Sequence, residues 1–288
     1  MNLSHPSELK AVLQRHGFTF TKSLGQNFLI DPHVLEQIVE ASGVDAETNV
    51  LEIGAGAGTL TRALADRAKR VVSVEIDQNL LPVLQETMAG FANFKLVHAD
   101  ILEVDLAQLT AEAFDGQPFL VIANLPYYIT TPIVMRLLES GLPVRQMTLM
   151  VQKEVAARMA AKPGGKEYGA LSVAVQYYTV PQIALRAEPH CFLPQPKVAS
   201  SVISLRVLDT PAVAVKDQSF FFRVVKSAFG QRRKTLVNAL AGSPYLKVEK
   251  AQVGAILQEM GLPAAVRGEA LSIAEFAELA NRLGHHSV

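Results

Sequence analysis

One arrangement in this chain leaves few folds open. A mostly apolar pentad, Asn49-Val50-Leu51-Glu52-Ile53, runs into Gly54-Ala55-Gly56-Ala57-Gly58, and a helical stretch follows from Thr59 to about Ala68. Strand, glycine-rich turn and helix in that order open the nucleotide-binding half of a doubly wound sheet, because glycine lets the backbone approach a ligand closely. A second apolar run, Val71-Val72-Ser73-Val74-Glu75, ends in an acid. Glu75 stands 21 positions after Gly54, near the roughly 20 at which an acid grips ribose hydroxyls in such folds. The competing reading is a structural turn plus a surface acid. Strand context and spacing together favour the nucleoside.

The alternation continues along the chain. Asp77 to Met88 reads as a helix, Phe94 to His98 as a strand, and Ala99-Asp100 closes it. A carboxylate at that strand end can accept a hydrogen bond from an adenine amino group. Phe119 to Ala123 is a further apolar strand, followed by a helix from Ile133 to Ser140, a strand from Gln146 to Val151 and a helix from Glu154 to Ala161. Such spacing implies a parallel sheet with right-handed crossovers. Two strand-like runs then follow with no long helix between them, Leu171 to Val180 and Ser201 to Leu208. They predict an antiparallel closure, which separates a methyltransferase form of the α/β fold from a simple dinucleotide fold.

The polar stretch after Ala123 is the candidate for chemistry. Asn124-Leu125-Pro126-Tyr127 sits at the carboxyl end of a buried strand, where open α/β sheets bind ligands. Asn offers a donor and an acceptor, Pro stiffens the turn, and Tyr offers a flat π face. The set suits a planar amine such as a nucleobase edge. A proline-stiffened loop, Cys191 to Val198, adds Phe192, which is either a second stacking face or a core aromatic.

At the N-terminus, Ser7 to His16 predicts a short helix ended by Gly17, and Thr19 to Leu29 an ordered loop. Asp31-Pro32 then starts a helix that runs to about Ser42, with Asp as N-cap and Pro at the first helical position. From Asp209 the pattern changes. Residues 210–214 read as a linker, and the remainder as helices at about Gln218–Phe229, Arg232–Leu240, Lys250–Met260 and Ile273–Leu283. The chain therefore divides into a catalytic domain, 1–208, and a helical domain, 209–288. Basic and acidic residues balance at 27 each, so total charge points to no nucleic acid. Between Arg206 and Lys250, however, nine Lys or Arg face three Asp or Glu. Arg223, Lys226, Arg232, Arg233 and Lys234 are the candidate phosphate contacts, against a plain solvated helical face. A single cysteine excludes a disulfide framework and a cysteine-built zinc site, no metal is expected, and His285-His286 read as an exposed tail. With no apolar run of membrane length and no signal-peptide pattern, a cytoplasmic setting is expected.

Several stretches together resemble one family, the ribosomal RNA adenine dimethyltransferases of the KsgA/RsmA type. They are Lys22 to Leu29, Leu51 to Thr61, Asn124 to Tyr127, Phe192 to Val198 and Ala228 to Leu236, in the family's order. The Gln26-Asn27-Phe28-Leu29 loop and the Asn-Leu-Pro-Tyr loop carry most of the specificity. Ala55 and Ala199 depart from common choices in the family. The resemblance implies a class I methyltransferase fold, with a mostly parallel seven-stranded sheet whose last strand is antiparallel. It implies S-adenosylmethionine as donor, with Asn27 and Leu29 covering it, Gly54 at its amino-acid end, Glu75 on the ribose, Asp100 on the adenine amino group and Asn124 touching donor and target. Asn124, Leu125, Pro126, Tyr127 and Phe192 would hold the target base. The implied substrate is 16S rRNA in the small ribosomal subunit, at two adjacent adenosines of a hairpin loop near its 3′ end, with the enzyme acting as a monomer away from membranes. The rival readings are an amino-methyltransferase for DNA adenine or protein glutamine, and a non-catalytic RNA-binding assembly factor that kept the fold.

Overall fold

The computed structural model describes residues 1–21 and 24–284. Lys22, Ser23 and the His285-His286 tail lie outside the described residues. Two compact units form, Met1–Ala156 with Pro181–Val207, and Ala157–Val180 with Leu208–Val288.

Nine strands are present among the described residues: β1 (Phe28–Leu29), β2 (Asn49–Ile53), β3 (Arg70–Glu75), β4 (Phe94–His98), β5 (Phe119–Asn124), β6 (Val144–Gln152), β7 (Thr179–Ala187), β8 (Phe192–Leu193) and β9 (Ser200–Val207). Seven form one sheet in the order β4-β3-β2-β5-β6-β9-β7. Strands β4 to β6 pair in parallel, and β9 runs antiparallel to β6. Every residue of β2 is buried, whereas the edge strand β4 has no fully buried position. A central strand covered on both faces needs a near-continuous apolar run, and an edge strand does not.

The sheet grows from β2 toward β4 and then restarts on the other side of β2 with β5. That reversal opens a crevice between the carboxyl ends of β2 and β5. Ile53 lies opposite Ala123 in register, so Gly54 and Asn124 leave the sheet side by side.

The helix after Asp31 forms as expected. Asp31 accepts from the backbone N–H groups of His33 and Val34, Pro32 opens Pro32–Ser42, and Gly43 ends it in the left-handed region at φ 68°. Three expectations are corrected. Leu171–Val180 is not a strand: a helix occupies Ala170–Tyr178, and β7 begins only at Thr179. Its β-branched and aromatic residues look strand-like, but Val173 and Tyr177, four apart, share one helical face that packs with Phe221 and Val224. The antiparallel closure is therefore built from residues 179–187 and 200–207. Second, the helix expected from Arg232 starts only at Leu236. Gln231 to Lys234 form a turn in which the Lys234 N–H donates to the Gln231 carbonyl at 2.9 Å. Third, Leu106–Phe114 is a helix that the sequence reading passed over, N-capped by Asp105.

The second unit takes in more chain than the 209–288 division anticipated, because residues 157–180 cluster with the C-terminal helices. Its core joins Tyr168, Val173 and Tyr177 to Phe221, Leu240, Ile256 and Phe276. Full burial of side chains of this size contributes roughly 1.5–3 kcal/mol each, and that ties the 157–180 segment to its later partners.

Candidate active site

A cavity of about 1060 Å³, continuous with solvent, opens at the crevice between β2 and β5. Asn27, Leu29, Gly54, Glu75, Asp100 and Asn124 all line it, as do Leu125, Pro126 and Tyr127. These residues come from five separate stretches of sequence, gathered at the carboxyl ends of the parallel strands and by one N-terminal loop.

The turn after β2 explains its glycines. Gly54 has φ 76°, and a Cβ there would lie 3.8 Å from the Asn124 carbonyl oxygen; Gly56 has φ 58°, and a Cβ there would lie 3.1 Å from the Phe28 ring. The left-handed backbone strains any other residue at both positions. Glu75 braces the same turn. Its Oε2 accepts from the Gly56 N–H at 2.9 Å and its Oε1 from the Asp77 N–H at 2.9 Å. Burial pushes the Glu75 carboxyl above its ordinary range, opposed by these backbone bonds. A desolvated carboxylate of this kind gains from further donors, and a ribose diol supplies two. Asp100 is half-buried; its Oδ1 accepts from the Leu102 N–H at 2.8 Å, and no described residue donates to Oδ2.

The N-terminal loop is fastened over this turn. The Gln26 side-chain amide donates to Asp77 Oδ2 at 2.6 Å and accepts from the Thr21 N–H at 3.0 Å. Phe28 and Leu29 are buried and pair with Leu193 and Phe192 through the two-stranded β1–β8 ladder.

On the other wall, Asn124 Nδ2 donates to the Asn27 carbonyl at 2.9 Å. Its Oδ1 is left as an acceptor, and no described residue donates to it. The Leu125 N–H is pinned to the Met150 carbonyl at 3.1 Å and the Leu125 side chain is buried, while no described residue donates to its carbonyl. The Pro126 carbonyl is taken by Ile129 N–H and Thr130 Oγ1. Two neighbouring acceptors, Asn124 Oδ1 and Leu125 O, thus remain for a ligand. The Tyr127 hydroxyl lies 2.7 Å from Ser200 Oγ on β9, and burial pushes its pKa up.

Phe192 needs correction. Only 1% of it is exposed, it belongs to the hydrophobic core, and it does not line the cavity. Its place opposite Leu29 in the β1–β8 ladder makes it a support for the N-terminal loop. The aromatic that sequence reasoning missed is Tyr128, which lines the cavity and is 57% exposed. Its adjacency to Tyr127 was the available signal. The Ser200 tether left none.

The basic residues divide in the second unit. Arg223, Lys226, Arg232, Arg233 and Lys234 are all exposed. Arg232 is nonetheless a clasp: its Nη2 donates to the Lys166 carbonyl at 2.8 Å, and to the Tyr168 carbonyl and Glu269 Oε2 at 3.3 Å. Among the described residues, Arg233 and Lys234 have no carboxylate partner. Elsewhere, Asp31, His190 and Cys191 bring potential ligand atoms within 4.8 Å of one another. Asp31 is already engaged, capping its helix through Oδ1 and accepting the Cys191 thiol at 3.4 Å through Oδ2. Burial raises the Cys191 pKa, which favours the thiol over the ligating thiolate.

The chemistry of the cavity follows from its lining. It offers acceptors, namely Glu75, Asp100, Asn124 Oδ1 and Leu125 O, and no Lys or Arg among the described residues. That fits a ligand rich in hydroxyl and amino donors and carrying positive charge, as S-adenosylmethionine does. Comparison with known proteins agrees. A family model described as ribosomal RNA adenine dimethylase matches residues 17–283. A ribosomal RNA small subunit methyltransferase A from Alkaliphilus oremlandii is 49% identical over 281 residues, covering 98% of each chain. Among solved structures, the 23S rRNA methyltransferase ErmE is 28% identical and superposes with a TM-score of 0.69 over 90% of this chain and 100% of its own. A dimethyladenosine transferase from Plasmodium falciparum, 24% identical, shares the fold with a TM-score of 0.72 over 88% of this chain and 95% of its own. With the match spanning nearly the whole sequence, the class I methyltransferase fold and its donor cleft are those of a family member: the chain belongs to the ribosomal RNA adenine dimethylase family.

Proposed function

We propose that this protein methylates the exocyclic N6 of two adjacent adenosines near the 3′ end of small-subunit (16S) rRNA, giving N6,N6-dimethyladenosine. The observation that carries the reading is the pair of unclaimed acceptors, Asn124 Oδ1 and Leu125 O, beside a cleft built for a nucleoside. When bound, S-adenosylmethionine supplies a methyl group on a positively charged sulfur, so no side chain need protonate a leaving group. Glu75 is suited to its ribose, Asp100 to its adenine amino group, Gly54 to its amino-acid end, and Asn27 and Leu29 to covering it.

The difficulty is the nucleophile, whose lone pair is delocalised into the adenine ring. Asn124 Oδ1 and Leu125 O accept its two N–H groups and so favour a more tetrahedral nitrogen. Tyr127, fixed at its hydroxyl by Ser200, presents a face for stacking and for the positive charge that develops on the base. Base–aromatic stacking is worth about 1–3 kcal/mol, which offsets much of the cost of turning a nucleotide out of its stack. A carbon–nitrogen bond forms as the carbon–sulfur bond breaks, and the surplus amine proton leaves to water. The monomethylated amine keeps one N–H, which either acceptor can take in the second round. Positioning and fixed dipoles account for the rate.

The reading extends to a monomeric, cytoplasmic enzyme that meets its substrate as the assembled 30S particle, with Arg223, Lys226, Arg233 and Lys234 on RNA phosphates. The experiment is transfer of methyl-tritiated S-adenosylmethionine to unmethylated small subunits, followed by mapping of the labelled nucleosides. Label in dimethyladenosine at two adjacent positions supports it. Label elsewhere, or in DNA alone, overturns it.

A further inference from the structure

We infer that the second unit carries a separate groove for an unpaired nucleotide of RNA, with the base stacked on Tyr245 and the phosphates met by Arg223 and Lys247. This rests on the RNA substrate proposed above and names a site that the catalytic cavity does not include.

The groove encloses about 1220 Å³ continuous with solvent, and Phe220, Arg223, Tyr245 and Lys247 are among its lining residues. Tyr245 stands out because it is 48% exposed as a residue while its neighbours Leu246 and Val248 are buried. The backbone beneath it is fixed. Its N–H donates to Ser243 Oγ at 3.2 Å, and Ser243 Oγ lies 2.6 Å from Ser227 Oγ on the helix Gln218–Gly230. A tyrosine has only two side-chain torsions to fix, so it loses little conformational freedom when a base stacks on it.

The charge around the ring is one-sided. Lys226 Nζ lies 4.0 Å from the Tyr245 ring centroid, and the Arg223 guanidinium 5.4 Å from that of Phe220. Among the described residues, Arg223, Lys226 and Lys247 have no carboxylate partner, whereas Arg232 and Arg282 are paired with acids. The one acid lining the groove, Asp217, is engaged at Oδ1 as N-cap to the Phe220 N–H at 2.9 Å. The opposite wall is fastened too, since Asn281 accepts from the Lys216 N–H at 2.8 Å and donates to the Ala214 carbonyl at 3.2 Å. Cations alone suit any phosphate backbone. A protruding aromatic among them suits an unstacked base, which a duplex keeps hidden.

The test uses the full chain and a single-stranded RNA octanucleotide carrying 4-thiouridine, with photo-crosslinked peptides mapped by mass spectrometry and affinity measured in parallel. Crosslinks within residues 243–249 are expected. Tyr245→Ala should weaken binding roughly five- to hundred-fold, Tyr245→Phe should retain it, and the two variants should melt within a few degrees of each other. The salt slope should be unchanged by Tyr245→Ala and lowered by Arg223→Ala. If Tyr245→Ala binds like the parent while Arg233→Ala with Lys234→Ala binds weakly, the groove is wrong and the RNA role of the unit stands. If neither weakens binding, both fail. Loss of small-subunit binding with normal octanucleotide binding would assign the groove to a protein surface and overturn the inference.

Discussion

The Asn124 side-chain amide donates to the Asn27 carbonyl at 2.9 Å, so a single residue joins the loop after β5 to the N-terminal loop at the cavity. One end of the amide is structural and the other is free for chemistry. Asn124→Ala should therefore lower turnover on the order of a hundred-fold or more, as loss of a positioned polar group does. Donor affinity should drop only several-fold, the scale of one hydrogen bond. Single-turnover rates and calorimetry on the same variant separate the two. Equal losses would mean that the loop tether is its whole role.

Glu75 gives donor binding a pH signature. Burial raises its carboxyl pKa in the free protein, so protonation sets in at higher pH than for an ordinary carboxylate. Hydroxyls donated by a ribose would favour the ionised form and release a proton on binding. Donor affinity should fall as pH drops through the raised pKa. Titrations in two buffers of different ionisation enthalpy should give different heats, a difference that Glu75→Gln abolishes.

Tyr127 and Ser200 should behave as a pair. Tyr127→Phe keeps the ring and loses the 2.7 Å hydroxyl contact, so its rate should fall several-fold, against far more for Tyr127→Ala. Ser200→Ala should cost the native protein activity but do little further harm in the Tyr127→Phe background. A double-mutant cycle measures this coupling, and additive effects would remove the tether from the account.

Glu52 is a stability prediction. It lies buried in β2 and accepts from Ser73 Oγ through one oxygen, and no described residue makes a hydrogen bond of good geometry to the other, which the Thr61 hydroxyl approaches. Burial chiefly pushes its carboxyl from 4.5 up to about 7. The neutral form is the one the fold accommodates, so stability is full below about pH 4.5 and declines as pH rises toward 7. Glu52→Gln should match the parent near pH 4 and exceed it at pH 8, on the order of 3 kcal/mol by denaturant unfolding. No difference at pH 8 would show that the carboxylate is solvated.

Arg232 and its neighbours should part company. Arg232→Ala removes donors from two carbonyls and Glu269, and should lower the melting temperature by several degrees. Arg233→Ala with Lys234→Ala should leave melting unchanged and reduce the salt slope of RNA binding by about one to two.

The sequence exposed most of what the backbone repeats and little of what side chains share across distance. Glycines 54 and 56 and the acids at 75 and 100 were legible because strand ends are periodic and the turn demands glycine. The place of the Asn124 loop at the cavity was legible from its residue types and from its position at the end of an apolar strand. Phe192 misled because an aromatic in a proline-rich loop carries no mark of which way it faces. The helix Ala170–Tyr178 misled because Val173, Val175 and Tyr177 satisfy both a strand's alternation and part of a helix's stripe. Arg232 could not be told from Arg233 without knowing that the Lys166 and Tyr168 carbonyls would arrive beside it.

The register of Ile53 against Ala123 fixes the spacing between the two halves of the active site. Gly54 and Asn124 are spaced by ladder hydrogen bonds, so their separation does not depend on any loop closing correctly. A slip of one residue between β2 and β5 would shift Asn124 along the strand by about 3.3 Å, roughly the whole reach between a methyl donor and its nitrogen. Helices around the sheet can vary in length and surface without touching that dimension. The parallel ladder acts as a gauge block, and its tolerance is that of a hydrogen bond.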